Sequence, residues 1–496
     1  MSNLSRFVRL HAERSPEQVA LIYEDVRLSY AELWGRVARL AGWLQTQGIG
    51  RNDAVAAVMK NSSTFIELSL AVSHLGGVFV PVNYRLSSEE IDYILHDSDS
   101  KLVFIDDEFD HLDLVFSAVK LVSPQAQKDP SAFGTADPVG LTHVEHTDLF
   151  RIMYTSGTTD RPKGVMHTYA NWYAKSSDQI MALQLSAQSR LLMCGPLYHV
   201  GAYDFPGIAV LWAGGTLCVQ REFEAASTFA LIERERLNCA WFAPVMTNML
   251  LNSEARGRHD VSSLLWSVGG GERTPETLIK RYAETFPAAR YIDAYGLTET
   301  CGGDTLMTAG HELEKIGSAG RAIALLDLDI FDDEGKRLPR GETGEICIRG
   351  PKVTPGYWRA PEKTAASFWG EWLRTGDVGH LDEDGFLFLT DRRKDMIISG
   401  GENIASLEIE RALTEHAAVR EAAVIAVPSE RWGERPMAFV VLHEGQSVEP
   451  EALLEHCRSR LARFKVPDQI TLRETLPRSA SGKVLKRLLR EEVERT

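Results

Sequence analysis

The sequence predicts an α/β fold with a large N-terminal domain of βαβ layers, a small β-barrel-like subdomain and a small α+β C-terminal domain. Three observations lead to this prediction. Strand-like and helix-like segments alternate up to about residue 325, short strands separated by turn residues follow to residue 393, and a compact set of helices and strands ends the chain. Alternating strands and helices build βαβ units, whereas closely spaced short strands build antiparallel sheets.

The first alternation lies near the N-terminus. Residues 28–50, LSYAELWGRVARLAGWLQTQGIG, place apolar side chains at helical spacing and stop at Gly48. DAVAAVMKN (53–61) then predicts a strand, STFIELSLAVSHLGG (63–77) a helix and VFVPVN (78–83) a strand. The same rhythm returns in SRLLMCGP (189–196), GGTLCVQ (214–220), NCAWFAP (238–244) and LLWSVGGG (264–271). The large domain is therefore expected to contain a mostly parallel sheet covered by helices.

The pattern of predicted elements changes at about Leu325, from alternating strands and helices to short strands. Residues 325–350 and 379–395 carry short alternating strands between turn residues, which predicts a small antiparallel barrel or sheet. Further on, SLEIERALTEH and PEALLEHCRSRLARF predict helices, and VREAAVIAVPS and MAFVVLHEG predict strands. Because the charged segment at Arg393–Lys394 separates two self-contained sets of elements, we predict domains at 1–393 (β-rich subdomain about 325–393) and 394–496.

Composition and charge narrow the function classes. The chain has 496 residues and a formal net charge of −15, which disfavours a nucleic-acid-binding face. The N-terminus lacks the apolar core of a secretory signal, no apolar run is long enough to span a bilayer, and the final ERT is not a peroxisomal address, so a cytoplasmic protein is expected. The six cysteines form no CxxC pair, and we interpret them as reduced thiols rather than disulfides or a metal cluster.

The strongest chemical signal is YTSGTTDRPKG, residues 154–164, which follows the strand-like DLFRIMY. Its hydroxyls and backbone N–H groups can surround the oxygens of a polyphosphate, and Lys163 adds a charge-assisted contact. The other residues of this predicted phosphate loop are Thr155, Ser156, Gly157, Thr158 and Thr159. No G-K-[ST] sequence occurs here, so it is not the common phosphate loop, and a Ser/Thr-rich surface turn is the alternative.

Four more stretches accompany this loop in order: DAYGLTET (293–300), WLRTGD (372–377), DRRKDMIISGGENI (391–404) and PRSASGKVLKRLL (477–489). Together the five motifs resemble those of the adenylate-forming superfamily, which comprises acyl-CoA synthetases, adenylation domains of peptide synthetases and beetle luciferases. The resemblance runs from about Phe7 to about Leu489. GSAGRA (317–322), PLYHVGA (196–202) and KDMIISGGEN are typical of fatty-acid and aryl-acid CoA ligases.

The resemblance implies an AMP-forming acid–thiol ligase that uses ATP, Mg²⁺ and CoA. In enzymes of this superfamily, a carboxylate attacks the α-phosphate of ATP, which gives an acyl-adenylate and pyrophosphate. The thiol of CoA then displaces AMP and forms a thioester. The implied partners are a small carboxylic acid, ATP and CoA, with no nucleic acid and no transmembrane segment.

The resemblance also implies roles for individual residues around the nucleotide. Residues from Thr155 to Gly164 would wrap the β- and γ-phosphates, Thr298 would bond the α-phosphate, and Glu299 would hold Mg²⁺. Asp293 and Tyr295 would contact adenine, and Gly271 and Glu272 would border the nucleotide. Asp377 and Arg392 would bind the ribose. The residue types suit these roles, because an aromatic face stacks on a purine and a carboxylate oxygen is a preferred ligand of magnesium.

By the same resemblance, the small C-terminal domain is mobile and has two working faces. Lys483 matches the lysine that bridges the incoming carboxylate and the α-phosphate during adenylation. Lys394 matches the hinge, and Gly400 and Gly401 match the tunnel that admits CoA after the domain has swung. Glycines leave room there for the pantetheine arm. His199 matches an aromatic gate beside the acyl pocket.

Two places depart from the pattern of the superfamily. Asp160 stands where glycine is usual, and a carboxylate near the phosphates is expected to repel ATP unless it points outward or meets Mg²⁺. GGGERTPE (269–276) replaces the usual GGAPxP, and its Arg273 meets either a polar end of the acid or solvent.

Gly201 and Ala202 bear on the identity of the acid. Amino-acid-activating relatives carry an aspartate where Gly201 stands, which argues against an amino acid, and these small residues predict a roomy acyl pocket. We expect a hydrophobic acid, aliphatic or bulky and cyclic, with a hydroxycinnamate-type acid as the alternative. An enzyme that loads a carrier protein, a luciferase-like oxygenase and a non-catalytic nucleotide-binding relative stay open as alternatives, and so does a homodimer.

Overall fold

The structure, a computed structural model, describes residues 3–155, 162–271, 274–392, 395–399, 402–429, 432–478 and 484–495. Contacts between Cα atoms divide the chain into two compact units. The first unit comprises Met1–Asp327 with Ile348–Leu373, and the second comprises Leu328–Cys347 with Arg374–Thr496. The boundary predicted at Arg393–Lys394 falls outside the described residues and stays a prediction.

The helices and strands agree with the predicted alternation. The α-helices are Ser5–Arg14 (α1), Tyr30–Thr46 (α2), Ser63–His74 (α3), Ser88–Asp97 (α4), Pro124–Lys128 (α5), Tyr169–Ala182 (α6), Gly207–Trp212 (α7), Ala225–Glu235 (α8), Pro244–Asn252 (α9), Glu276–Thr285 (α10), Pro361–Ala366 (α11), Ser406–Thr414 (α12), Pro450–Arg458 (α13) and Lys486–Glu494 (α14). Short 3₁₀ helices lie at Asp107–Phe109, Pro130–Phe133, Thr298–Thr300 and Arg463–Lys465.

The strands of the first part of the chain are Val19–Tyr23 (β1), Val26–Ser29 (β2), Ala54–Val58 (β3), Val78–Val82 (β4), Ser100–Asp106 (β5), Val119–Val122 (β6), Leu149–Thr155 (β7), Lys163–Thr168 (β8), Arg190–Met193 (β9), Gly201–Ala202 (β10), Phe205–Pro206 (β11), Thr216–Val219 (β12), Cys239–Trp241 (β13), Trp266–Gly270 (β14), Arg290–Tyr295 (β15), Thr305–Leu306 (β16) and Arg321–Ala322 (β17). Those that follow are Asp327–Phe331 (β18), Gly344–Arg349 (β19), Phe368–Trp369 (β20), Trp372–Leu381 (β21), Leu387–Arg392 (β22), Ile397–Ser399 (β23), Glu402–Ile404 (β24), Val419–Ser429 (β25), Gly433–Leu442 (β26) and Gln469–Arg473 (β27).

The first unit contains two large sheets with a helix between them. One sheet has the strand order β6-β5-β3-β4-β7-β8, and the other the order β17-β16-β15-β14-β13-β9-β12-β1-β2. Every residue of α3 is buried, and the helix contacts β4 of the first sheet and β1 of the second. A helix buried all round must lie between layers of a core. The sequence predicted parallel βαβ layers, but strand alternation alone does not tell one sheet from two.

The longer sheet sets the position of the predicted nucleotide residues. Strands β9, β12, β13, β14 and β15 pair in parallel, so their carboxyl ends lie along one edge. Trp241, Gly270 and Tyr295 are the last residues of β13, β14 and β15. In parallel α/β sheets, ligands bind beyond the carboxyl ends of the strands. The motif DAYGLTET therefore begins inside the sheet and leaves it at that edge.

The β-rich segment forms a five-stranded sheet with the order β18-β19-β21-β20, in which β22 also pairs with β21. The pairs β20–β21 and β21–β22 are antiparallel, as the turn-rich sequence predicts. Among the described strands, no pairing joins the terminal strands of this sheet into a closed barrel. The alternation of apolar and polar residues specifies the antiparallel pairing, but it carries no information on closure.

The C-terminal part of the second unit is an α+β layer structure. Its sheet has the order β24-β23-β26-β25, with β27 parallel to β26. Alternate residues of the paired strands β25 and β26 enter two cores on opposite faces: Val424, Ala438 and Val440 in one, and Ile425, Phe439 and Val441 in the other. Helices α12 and α13 contribute to the first core and α14 to the second. The helices α12 and α13 lie within the two segments for which the sequence predicts helices.

The six cysteines are buried and free, as the sequence predicts for reduced thiols. Burial raises the pKa of the Cys301 thiol to about 11 and that of Cys218 to about 12, so both stay protonated at neutral pH. Among the described residues, we find no helix with the length and apolar composition that a bilayer crossing requires.

Candidate active site

The two ends of the predicted phosphate loop meet in the structure. Thr155 is the last residue of β7, Lys163 is the first of β8, and the two are direct partners in the antiparallel pair. Ser156, Gly157, Thr158, Thr159 and Asp160 lie outside the described residues, so their predicted contacts with phosphates stay predictions. The strand pair therefore presents the hydroxyl of Thr155 and the ammonium of Lys163 at the same point.

The nucleotide motif leaves β15 at the edge described above. Asp293 and Tyr295 are buried, and one carboxylate oxygen of Asp293 accepts a hydrogen bond from the Thr274 hydroxyl at 3.2 Å. Gly271 follows β14 with a φ of +92°, a left-handed conformation that favours glycine. Glu272 and Arg273 lie outside the described residues. Thr274 was not predicted, although its position directly after the GGGER segment is a usable signal.

The turn from Thr298 to Thr300 is the centre of the candidate site. Thr298 is buried and Glu299 is half-buried. The Thr354 N–H donates to the Glu299 carbonyl at 2.7 Å, and the Tyr357 hydroxyl donates to Glu299 Oε1 at 2.9 Å. The backbone and the carboxylate of Glu299 are thus both held by one segment of the chain.

Tyr357 connects the two predicted parts of the site. Besides its hydrogen bond to Glu299, its ring lies under the ammonium of Lys163, with Nζ 5.4 Å from the ring centroid. Burial, followed by the neighbouring Glu299 carboxylate, raises the pKa of the phenol well above its usual value, so that the hydroxyl remains a donor. Sequence reasoning missed this residue because the contacts join positions that are distant in the chain.

The segment that carries Tyr357 runs beside β8. The Met166 N–H donates to the Gly356 carbonyl at 3.1 Å, the Trp358 N–H donates to the Gly164 carbonyl at 2.7 Å, and Val165 and Tyr357 form an isolated antiparallel bridge. This pairing sets the distance between Tyr357 and the start of β8. A tyrosine in an irregular stretch carries no local sequence signal for such a contact.

The carboxylate of Glu299 fits the predicted magnesium role. It is half-buried, and Tyr357 holds one of its oxygens. Among the described residues, no group of three His, Cys, Asp or Glu side chains is arranged to hold a metal ion. Magnesium is commonly bound by one or two carboxylates together with the phosphates of a nucleotide, and a single carboxylate beside a phosphate loop agrees with that pattern. When bound, the ion would neutralise phosphate charge.

Four charged or ionisable side chains lie buried behind the Thr298–Thr300 turn. This buried charge cluster consists of Arg151, His167, Lys175 and Asp204. The Arg151 guanidinium bonds Asp204 Oδ2, and the ammonium of Lys175 lies 3.3 Å from Asp204 Oδ1. Burial alone would raise the pKa of Asp204, but the two cations hold it below its usual range. The sequence signal for this cluster is Arg151, a charged residue inside the mostly apolar strand segment DLFRIMY.

The predicted gate and acyl pocket lie in the segment before β11. His199 is half-buried, and its Nδ1 accepts a hydrogen bond from the Gly201 N–H at 3.3 Å. A Cβ atom on Gly201 would lie 2.4 Å from the Trp241 ring, and one on Gly195 would lie 2.3 Å from the same ring. The indole of Trp241 therefore occupies the space directly beside Gly201, and the roomy acyl pocket stays a prediction. Ala202 is buried with a φ of +55°.

In the second unit, the two predicted ribose residues are direct partners. Asp377 on β21 pairs with Arg392 on β22. Asp377 is buried, and its N–H donates to the Thr375 hydroxyl at 3.1 Å. Lys394, Gly400, Gly401 and Lys483 lie outside the described residues, and their roles in the hinge, the CoA tunnel and adenylation stay predictions.

Comparison with known proteins identifies the family. Residues 8–358 match the AMP-binding enzyme family, and residues 408–483 match the C-terminal domain of AMP-binding enzymes. A long-chain-fatty-acid–CoA ligase of Mycobacterium tuberculosis is 36% identical, with 100% of this chain and 99% of the relative covered. A feruloyl-CoA synthase of Amycolatopsis sp. is 36% identical over 96% of each chain.

Solved structures agree. An o-succinylbenzoate CoA synthetase of Bacillus subtilis, in complex with its acyl-adenylate intermediate, superposes with a TM-score of 0.88 at 31% identity, covering 100% of this chain and 98% of that one. The same enzyme with ATP and a magnesium ion gives a TM-score of 0.88 at 30% identity, with coverage of 100% and 99%. From these matches and from the geometry described above, the chain belongs to the AMP-binding enzyme family and is an acid–thiol ligase.

Proposed function

We propose that the protein activates a hydrophobic carboxylic acid as its acyl-adenylate and then transfers the acyl group to CoA. ATP, Mg²⁺ and CoA are the cofactor and cosubstrates of this ligase class. The observation that carries the proposal is the double contact of Tyr357, with Lys163 of the phosphate loop and with the Glu299 carboxylate. A polyphosphate and its counter-ion would meet where these side chains meet.

The chemistry divides into two balanced steps. A carboxylate oxygen of the acid attacks the α-phosphorus of ATP, and the bond to the β-phosphate oxygen breaks with release of pyrophosphate. The CoA thiol then gives up its proton as its sulfur attacks the acyl carbon, the bond from that carbon to the phosphate oxygen breaks, and AMP leaves. In the first step, Thr298 would bond the α-phosphate and Lys163 would hold the departing phosphates, since fixed donors stabilise charge as it develops.

Trp241 supports a narrower proposal about the acid. Its indole lies against Gly195 and Gly201, where side chains would collide with it, and it is 7% exposed. If Gly201 borders the acyl pocket, this indole is one wall of it, and a flat wall suits a ring. This favours a flat cyclic acid, such as a hydroxycinnamate-type acid, as a second candidate beside an aliphatic one. Both candidate acids have counterparts among the relatives, which include a long-chain-fatty-acid–CoA ligase and a feruloyl-CoA synthase.

The test is AMP production from Mg-ATP, with and without CoA, across fatty, aryl and polycyclic acids. We expect CoA-dependent AMP release with one class of acid. Acyl-adenylate that hydroxylamine traps, without any turnover on CoA, would instead indicate a carrier-protein acceptor. Oxygen consumption or light with ATP and acid would indicate an oxygenase. No adenylate with any acid would contradict the proposal.

A single substitution separates the two half-reactions. Lys483→Ala is expected to lower adenylation by about 10²-fold or more, because it removes a charge aimed at the reacting phosphate. Thioester formation from a supplied acyl-adenylate should be spared. Equal loss of both half-reactions would contradict the role of Lys483. A cytoplasmic location and a homodimer stay predictions.

A further inference from the structure

The buried charge cluster has no role in the chemistry proposed above, yet it contacts the Thr298–Thr300 turn, which carries two residues of that chemistry. The Nε2 atom of His167 lies 2.7 Å from the carbonyl oxygen of Thr298. His167, Lys175 and Asp204 are 0% exposed, and Arg151 is 3% exposed. Burying charged groups is costly unless they are paired and hydrogen-bonded. Such a cluster is therefore expected to serve a purpose that an apolar core would not.

The geometry determines which nitrogen of His167 carries the proton. Arg151 is the direct cross-strand partner of His167, and its Nε and Nη2 lie 3.2 and 2.8 Å from His167 Nδ1. A guanidinium only donates hydrogen bonds, so Nδ1 must accept. The proton of the neutral imidazole then resides on Nε2 and is donated to the Thr298 carbonyl. Burial, followed by the charge of Arg151, lowers the pKa of His167 to about 3, which keeps the ring neutral.

The cluster joins three parts of the candidate site. Arg151 lies on β7, just before the phosphate loop, and His167 lies on β8, just after it. Asp204 lies between β10 and β11, a few residues beyond the predicted gate His199. Through His167, all of these reach the backbone of Thr298. A shift of the strand pair would thus be transmitted to the turn that carries the predicted α-phosphate and magnesium residues.

We propose that His167 is a positioning residue of adenylation, which holds the Thr298–Glu299 turn in place through its Nε2–H bond to the Thr298 carbonyl. Arg151 and Asp204 act one step further away, by fixing the tautomer and orientation of the imidazole. The inference rests on the proposed function, because it assigns His167 to the adenylation half-reaction. It adds a residue that the motif resemblance did not single out.

The test compares two amides at position 167. His167→Gln can place an N–H near the position of Nε2, within reach of the Thr298 carbonyl. His167→Asn can accept from Arg151 near the position of Nδ1, but its shorter side chain does not reach Thr298. We expect His167→Asn to lower kcat of adenylation about 10- to 100-fold with little change in the KM for ATP, since small displacements of reacting groups are costly. His167→Gln should retain most of the wild-type kcat.

Lys175→Met is the matched control, because it removes a charge from the same cluster and leaves the contacts of His167 intact. Adenylation is measured by ATP–pyrophosphate exchange with the acid that the wild type prefers, and thermal midpoints are recorded for all variants. Lys175→Met should keep its kcat even if its midpoint falls. The proposal is overturned if Asn works and Gln does not, if neither substitution lowers kcat, or if kcat simply follows the midpoint across the series. Absence of exchange in the wild type would instead refute the proposed function.

Discussion

Two buried carboxylates hold the same turn, and they are partnered differently. Asp204 has two cations, Arg151 and Lys175, and reaches Thr298 through His167. In the part of the chain that the structure describes, Asp304 has one cation, Lys352, with Nζ 2.8 Å from Oδ1, and it accepts a hydrogen bond from the Thr300 hydroxyl at 2.5 Å. All three charged partners of these carboxylates are almost wholly buried.

The difference appears in the direction of the pKa shift of each carboxyl group. Burial raises the pKa of Asp304 above its usual range, and the single ammonium of Lys352 does not reverse this shift. Two cations do reverse it at Asp204, whose pKa lies below its usual range. In a dry interior, one opposite charge offsets the loss of hydration only in part. The partners of Asp204, the Arg151 guanidinium foremost, therefore shift its pKa in the direction opposite to the shift of Asp304.

The largest effect is expected from Asp204→Asn. It leaves the buried Arg151 and Lys175 without a counter-charge, and loss of one partner from a buried pair costs about 3–5 kcal/mol. Asp304→Asn leaves only Lys352, which still donates to the Gly303 carbonyl at 2.5 Å, and should cost less. Denaturant unfolding of both variants measures the free energies. Equal losses would show that the number of cations is irrelevant.

Removal of the cations should give the opposite ranking. Lys352→Met removes the cation that lies beside Asp304 among the described residues and leaves one carboxyl oxygen poorly satisfied, at a cost of about 1–3 kcal/mol. Lys175→Met leaves Asp204 bonded to Arg151 and should cost about 1 kcal/mol or less. The free energies of unfolding of the two Met variants at neutral pH check this order. A larger loss for Lys175→Met would break the comparison.

The two carboxylates should also give opposite pH dependences of stability. The pKa of Asp304 is raised on folding, so the native state binds more protons than the unfolded chain between the two pKa values. The contribution of Asp304 to stability therefore declines as the pH rises from the ordinary aspartate pKa through the raised one. The contribution of Asp204 is instead present above the ordinary pKa and lost as the pH falls through the lowered one. Thermal midpoints of the wild type and Asp304→Asn between pH 4 and 8 should diverge on the acidic side, where only the wild type gains stability.

The smallest effect is expected from Tyr357→Phe. This change keeps the ring beneath Lys163 and removes only the hydroxyl that bonds Glu299 Oε1. A hydrogen bond to a charged group contributes about 1.5–3 kcal/mol, part of which water can replace at a half-buried carboxylate. We expect a several-fold rise in the KM for Mg-ATP and little change in stability. An unchanged KM would mean that Glu299 is positioned by the backbone supports alone.

Much of the fold follows from local pattern. The helix predicted at 28–50 is α2, whose N-cap residue Ser29 forms a capping box with Glu32, so its start is encoded within four residues. The strands predicted around residues 53–61 and 78–83 are β3 and β4. The number of sheets and the open path of the β-rich segment depend on pairings between distant strands, which local pattern does not contain.

The candidate site shows the same division between short-range and long-range information. The sequence by itself determined the motifs: Thr155 and Lys163 at the ends of one loop, and Asp293, Tyr295, Thr298 and Glu299 within one strand and turn. Only the tertiary structure decided how they are supported, through Tyr357 at Glu299, His167 at Thr298 and Trp241 in the space beside Gly201. The physical reason is that motif residues are specified by spacing along the chain, whereas a buried hydrogen bond or a filled space depends on which distant segments the packing brings together.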